Sequence, residues 1–156
     1  MERKTKIHAE EGQQQITITR EFDLPLELLF KGYTLPELVS QWMGTNVLKL
    51  DNHKHGSYRF ETSNPQGIVV LQMSGEIHEF LPNQKITRTF EMENTPFEPQ
   101  LEFLEFESLD GHTSKLTMHI IYRSIALRDQ QLQLPFAQGI NMAHDRLQEI
   151  VQSLKP

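Results

Sequence analysis

The sequence predicts an α+β protein in which a curved antiparallel sheet of six to seven strands grips one long C-terminal helix. Three observations lead to this fold class. Seven segments alternate apolar and polar residues as strands do, short turn sequences join several of them, and one long amphipathic stretch ends the chain. Connections of hairpin length make neighbouring strands antiparallel, and a single amphipathic helix must cover one face of their sheet.

The chain begins with a polar segment and a first strand. Residues 1–13 are polar, and we expect them to form a flexible N-terminal segment ahead of a single domain of residues 14–156. In residues 14–22 (QQITITREF), Ile16 and Ile18 alternate with polar neighbours, which predicts a strand.

Two short helices are predicted directly after this strand. The first lies in DLPLELLFKGY with Asp23 as its cap, and the second lies in TLPELVSQWMG with Thr34 as its cap and Gly44 as its end. The apolar residues at helical spacing are Leu26, Leu29, Phe30 and Tyr33 in the first, and Leu35, Leu38, Val39, Trp42 and Met43 in the second. The only tryptophan of the chain, Trp42, therefore belongs to a buried helical face.

Six further strands are predicted in the middle of the chain. They cover residues 46–50, 56–62, 67–81, 84–93, 100–108 and 114–122. Pro82-Asn83 and Asp110-Gly111 are turn dipeptides between pairs of these strands, and they predict hairpins. Gly67 and Gly75 are positions where a long strand can bend, so we expect a strongly curved sheet.

The long helix is predicted in residues 134–154. Its apolar stripe consists of Phe136, Ile140, Ala143, Leu147, Ile150, Val151 and Leu154. Gly139 costs such a helix about 1 kcal/mol relative to alanine, which suggests that the helix packs closely against the sheet at this point.

Composition excludes several classes of function. The chain of 156 residues has 15 basic and 21 acidic side chains, a formal net charge of −6, so we expect neither a nucleic-acid partner nor an anionic membrane surface. It contains no cysteine, which excludes disulfides and thiolate chemistry. We find no signal-peptide pattern and no membrane span, and we expect a soluble cytoplasmic protein that needs no metal or cofactor. Whether it is a monomer or a homodimer stays open.

Five segments resemble, in order, the START-like helix-grip superfamily, and within it the family named for the activator of heat-shock protein 90 ATPase. The resemblance covers the chain from about Ile16 to Leu154. The segments are ITREFDLPLELLFKGYTLPELVSQWMG, HGSYRF, SGEIHEFLPNQKITRTF, HTSKLTM and FAQGINMAHDRLQEIV. In the second of these, His55 stands where the family pattern has a first glycine.

The resemblance implies a long cavity between the C-terminal helix and the curved sheet, roofed by the two short helices. It implies a binding protein that encloses a small hydrophobic molecule there. Two alternatives come from the same resemblance. One is an enzyme of the polyketide cyclase or aromatase type that uses the cavity, and the other is a co-chaperone that stimulates the ATPase of a heat-shock chaperone.

Two charged residues are candidates for polar contacts in such a cavity. Arg88 shares the strand phase of Ile86 and Phe90, so its cation needs an anionic partner, either a ligand carboxylate or Glu79. Alternatively, Arg88 lies where the sheet emerges and extends its guanidinium to water. Glu79 shares the phase of Ile77, and an inward carboxylate would have a raised pKa and could contact a ligand or serve as a structural partner.

The histidines are weaker candidates for ligand or metal contacts than Arg88 and Glu79. His144 lies on the apolar stripe of the last helix, where it could contact a ligand and titrate near neutral pH, or form a structural hydrogen bond at the edge of the core. His53 and His55 could form a metal pair only with further ligands, and Asp51 is the one nearby candidate. We therefore interpret them as solvated loop residues.

The candidate lining of the cavity is apolar and rich in phenylalanine and methionine. It consists of Trp42, Met43, Phe60, Leu71, Met73, Phe90, Phe103, Phe106, Phe136 and Ile140. Such side chains form adaptable walls for apolar ligands, and they also form ordinary packed cores. The sequence alone does not separate these two outcomes.

Overall fold

The computed structural model describes residues 3–156 and contains one eight-stranded antiparallel sheet and four helices in that part of the chain. The strands are β1 (Lys6–His8), β2 (Gln15–Phe22), β3 (Asn46–Leu50), β4 (Ser57–Ser63), β5 (Val69–Leu81), β6 (Lys85–Met92), β7 (Gln100–Ser108) and β8 (Ser114–Ile121). The helices are α1 (Leu26–Thr34), α2 (Pro36–Met43), α3 (Ile125–Gln133) and α4 (Phe136–Gln152). The α+β class, the two short helices and the long last helix are confirmed.

The sheet is open and curved, with the order β1-β2-β8-β7-β6-β5-β4-β3. Its inner face packs against α1, α2 and α4 around a core that includes Ile16 and Ile18 of β2, Leu104 of β7, and Leu147 and Val151 of α4. All five side chains are almost completely buried. Most of the stripe predicted for the last helix therefore faces the sheet. Leu154 does not, since it lies beyond the end of α4 and is exposed.

The N-terminal segment is more ordered than the sequence indicated. Lys6–His8 forms an edge strand antiparallel to β2, with Ile7 opposite Ile18. Thr5, just before it, donates its backbone N–H to the Asn141 side chain of α4. The sequence analysis predicted no strand here, because three residues are too few to show an alternating pattern. Residues 1 and 2 lie outside the described part of the chain.

The two short helices begin at other residues than predicted. The N-cap of α1 is Pro25 and not Asp23. Thr34 does not cap α2; it ends α1, and its hydroxyl donates to the backbone oxygen of Phe30. The N-cap of α2 is Leu35, with Pro36 in the first turn. At the other end, Gly44 adopts the left-handed conformation that ends a helix, as predicted.

Strand β5 lies very close to its neighbour β6 at Gly75. A Cβ atom on Gly75 would collide with the backbone oxygen of Thr89 and the hydroxyl of Tyr58, so only glycine allows the strands to approach so closely. Beyond it, the pairing with β6 shifts by one residue between Ile77 and Glu79. This β-bulge reverses which side chains face inward along the rest of the strand.

Gly139 has no close-packing role. A Cβ atom there would meet no other atom within 4 Å, so the inference of tight contact with the sheet was wrong. The position lies beside an open space, described below. In residues 3–156, no helix combines the length and the apolar character needed to cross a membrane.

Candidate functional site

A cavity of about 650 Å³ lies between the sheet and α4 and is bordered by α2 and the turn between α3 and α4. Its walls come from strands β2 and β4–β8 and from the N-terminal half of α4. The volume lies in the range of small-molecule sites, and most of the lining side chains are apolar, as such sites require. The cavity is thus large enough for an organic molecule.

Nine of the predicted contact residues line this cavity. They are Trp42, Met43, Phe60, Leu71, Met73, Arg88, Phe90, Phe136 and Ile140. Phe106 belongs to the core instead, where its ring packs edge-on against Phe30 and Tyr33. Phe103 lies on the opposite phase of the same strand from Phe106, so its place in the predicted lining was wrong.

Arg88 lies at a buried position of the cavity wall and forms an ion pair with Glu102. The Nε atom of Arg88 donates to Oε1 of Glu102 at 3.0 Å, and the two side chains are 13% and 5% exposed. Gln100 donates from Nε2 to the second oxygen, Oε2, at 2.9 Å. The guanidinium also stacks over Tyr58, with Cζ 5.1 Å from the ring centroid. Both charges are therefore compensated within the wall.

Glu79 is not part of this site. The β-bulge at Ile77 and Glu79 turns the Glu79 side chain to the surface, where it is 47% exposed and pairs with Lys85 at 3.2 Å. A hydrogen bond donated by Thr87, together with Lys85, lowers the pKa of Glu79 below its ordinary value. The expected inward carboxylate with a raised pKa, and its pairing with Arg88, were both wrong.

His144 is a buried structural residue outside the cavity lining. Its Nδ1 atom lies 2.7 Å from Oγ1 of Thr5, and its Nε2 atom lies 3.2 Å from the hydroxyl of Tyr33. Burial, reinforced by Arg20, lowers the pKa of His144 to about 3. This pKa lies well below neutral pH, and the structural alternative describes this residue.

Trp42 forms part of the wall under the short helices. Its Nε1 atom donates to the backbone oxygen of Gly32 at 2.7 Å, and its ring lies 5.1 Å from that of Tyr33. Arg146 of α4 donates from Nε to the backbone oxygen of Trp42 at 3.0 Å and is exposed. The tryptophan is thus held rigidly on one side, and its other side borders the cavity.

Several cavity residues escaped the sequence analysis. These are Glu102, Gln100, Gln131, Arg146, Met92 and Met118, together with small or apolar residues of the α3–α4 turn. Met92 continues the inward phase of Arg88 and Phe90 on β6, and Met118 shares the buried phase of Leu116 and Ile120 on β8. Glu102 could not be assigned, because in QLEFLEFES both alternating phases carry two apolar residues.

Comparison with solved structures identifies the fold. A protein of Rhodobacter sphaeroides superposes with a TM-score of 0.84 at 19% identity, over 97% of this chain and 99% of that one. A protein of Mycobacterium smegmatis gives 0.82 at 19% identity, over 94% and 96%. A protein of Arthrobacter aurescens gives 0.83 at 10% identity, over 95% and 91%. At these identities the likeness concerns the fold alone.

Comparison of sequences identifies the family. No curated protein sequence matches this chain. Residues 23–152 match the sequence profile of the family described as Activator of Hsp90 ATPase homolog 1-like protein, and this stretch extends from α1 to the end of α4. The chain therefore belongs to the family of Activator of Hsp90 ATPase homolog 1-like proteins.

Proposed function

We propose that the protein binds one small, predominantly apolar molecule in the cavity between its sheet and α4. The observation that carries the proposal is the cavity itself, about 650 Å³ bounded mainly by aliphatic, aromatic and methionine side chains. Such a cavity leaves apolar side-chain surface in contact with water, which is unfavourable. A bound apolar ligand would remove that surface from water, and this gain favours binding.

The polar part of such a ligand has a defined place. Arg88, Glu102 and Gln100 are polar residues in a wall that is otherwise largely apolar. Polar groups placed at a few points of an apolar pocket fix the orientation of a ligand. We therefore propose that the apolar body lies along α4 and that the polar group approaches Arg88.

A cyclase or aromatase reaction is a weaker interpretation of the same cavity. Among the described residues, Glu102 is the only carboxylate in the lining, and Arg88 already pairs with it. Tyr33 also lines the cavity, but burial raises its pKa further above the ordinary value of 10.0. Since a general acid or base works best with a pKa near the operating pH, Tyr33 does not suit proton transfer at neutral pH, and the Glu102 carboxylate is already engaged by Arg88 and Gln100.

Binding can be tested with N-phenyl-1-naphthylamine, an uncharged probe that fluoresces in apolar surroundings. We expect saturable binding to the wild-type protein. Gly139→Phe should weaken it by at least about tenfold, because the new side chain extends from a position that lines the cavity and has open space beside it. Ala137→Phe, on the exposed side of the same helix, is the matched control. Equal binding by all three proteins would exclude the cavity as the site.

The family description offers a second candidate, stimulation of the ATPase of a heat-shock chaperone. A specific surface favours it, since Ile68, Val69 and Val70 of the β4–β5 hairpin are exposed apolar residues, two of them more than 60% exposed. Purified heat-shock protein 90 should then hydrolyse ATP faster with the wild-type protein than with Ile68→Ser/Val70→Ser. An unchanged ATPase rate with the wild-type protein would exclude this candidate.

A further inference from the structure

The buried polar end of the cavity carries no net charge. Arg88 and Glu102 face each other across neighbouring strands β6 and β7, and both are largely shielded from water. Each oxygen of the Glu102 carboxylate accepts one hydrogen bond, Oε1 from Arg88 and Oε2 from Gln100. The carboxylate is thereby satisfied, and the cation is neutralised before any ligand enters.

Hydrogen-bonding capacity nevertheless remains in the wall. Among residues 3–156, Arg88 uses only Nε in a hydrogen bond, so the N–H groups of its two terminal nitrogens stay available. The cavity-lining Gln131 has a buried side-chain oxygen, Oε1, for which the described residues provide no partner. Its amide offers a donor and an acceptor in either orientation. The cavity can therefore satisfy both donors and acceptors of a ligand.

The charge balance decides which ligand groups fit. A ligand carboxylate at Arg88 would be attracted by the guanidinium and repelled by Glu102 beside it, and it would lose its hydration as well. A hydroxyl, carbonyl or amide loses far less hydration and can still accept from the guanidinium. Building on the proposed binding function, we infer that the cavity selects apolar molecules whose polar group is uncharged, and that it discriminates against carboxylates.

Arg146 is the one residue that could reverse this preference. It is the second cation in the lining, and no acidic side chain pairs with it among the described residues. It is exposed, however, whereas Arg88 is buried, so water and salt screen its attraction for an anion. A carboxylate bound there would remain solvated, and only the apolar chain would contribute to binding.

A matched pair of probes tests the inference. Dodecan-1-ol and dodecanoate have the same chain length and differ in the charge of one end. In competition with N-phenyl-1-naphthylamine at pH 8, we expect the alcohol to bind wild-type protein at least about tenfold more tightly. Glu102→Gln should shift the ratio of the two affinities toward dodecanoate by about tenfold or more, because the Arg88 cation is then uncompensated. Glu105→Gln, on an exposed position of the same strand, should keep the wild-type ratio.

The outcomes separate this inference from the binding function. If neither the fluorescent probe nor the alcohol binds, the cavity does not bind apolar ligands and both proposals fail. If dodecanoate binds as tightly as the alcohol or more tightly, binding stands and the inferred selectivity is overturned. Arg146→Gln then shows whether that residue holds the acid.

The affinities of the two probes at lower pH test the inference on the wild-type protein alone, without a variant at Glu102. Lowering the pH toward the pKa of dodecanoate converts part of it to the uncharged acid. We expect its apparent affinity for the wild-type protein to rise, while that of dodecan-1-ol stays constant. A fall in dodecanoate affinity on acidification would show that the anion is the bound form and would overturn the inference.

Discussion

At the residue scale, Arg88 and Glu102 stabilise the fold only as a pair. Glu102→Leu leaves a buried cation without its partner, and we expect the free energy of unfolding to fall by about 3–5 kcal/mol. The double variant Arg88→Met/Glu102→Leu removes both charges. Its free energy of unfolding should lie within about 1 kcal/mol of the wild-type value, because packed apolar side chains replace a desolvated pair. Urea denaturation measures both values.

A surface pair serves as the control for this comparison. Glu79 and Lys85 are a similar distance apart, at 3.2 Å, but both are exposed. Glu79→Gln should therefore leave the unfolding midpoint nearly unchanged. The account of the buried pair fails if the double variant loses as much stability as Glu102→Leu.

His144 makes stability depend on pH. Its folded pKa of about 3 lies below the ordinary value of 6.5, because burial and Arg20 disfavour the imidazolium. The neutral ring therefore stabilises the fold fully above about pH 6.5, and this contribution is lost as the pH falls toward 3. The slope from this one group reaches about 1.4 kcal/mol per pH unit.

This effect is measured as the slope of the free energy of unfolding against pH, between pH 7 and pH 4, in the wild-type protein and its variants. His144→Gln should show a flatter dependence than wild type, whatever its absolute stability. His8→Gln, which changes an exposed histidine, should keep the wild-type slope. Parallel curves for wild type and His144→Gln would contradict a depressed pKa.

Three charged residues show which side-chain positions the sequence could predict and which it could not. The phase of β6 placed Arg88 in the cavity wall, because Ile86, Arg88 and Phe90 alternate without interruption. The same argument failed for Glu79, since the bulge beside it has no signature in the local sequence. The partner of Arg88 is Glu102, which belongs to a strand whose two faces are equally apolar. Only the folded sheet therefore reveals which carboxylate contacts the guanidinium.

At the element scale, the close approach of β5 to its neighbour β6 depends on one glycine. Gly75→Ala would place a methyl group against the backbone oxygen of Thr89 and the hydroxyl of Tyr58. We expect a loss of about 1–3 kcal/mol in the free energy of unfolding, the usual cost of overpacking. Gly111→Ala is the matched control, because a Cβ atom there meets nothing within 4 Å and the backbone is not left-handed. Equal stability of the two variants would contradict this role for Gly75.

The elements themselves differ in how clearly the sequence marks them. Seven strands and the long helix carry strong periodicity, and each was predicted within a few residues. Helix α3 (IALRDQQLQ) lacks an apolar stripe; it begins where Ser124 accepts from the backbone N–H of Leu127, and this local capping signal was overlooked. Strand β1 is ordered through its pairing with β2, a long-range contact that no local pattern encodes.

At the scale of the whole molecule, alternation on the strands and the helical stripe were enough to indicate most of the cavity wall. They could not indicate whether the space inside is filled, since phenylalanine and methionine serve a packed core as well as a ligand site. That outcome depends on how far the curved sheet holds α4 away from its inner face. Between the sheet and α4 lies a cavity of about 650 Å³.

The central claim is that this cavity holds a small molecule in the cell. Native mass spectrometry of the protein purified from its own cell extract, compared with the denatured mass, tests it most directly. We predict a reproducible adduct of small-molecule mass that is lost on denaturation and is reduced in Gly139→Phe, which adds a large side chain at a position of the cavity lining. An unliganded mass for the wild-type protein, together with failure of added N-phenyl-1-naphthylamine to bind, would contradict the claim.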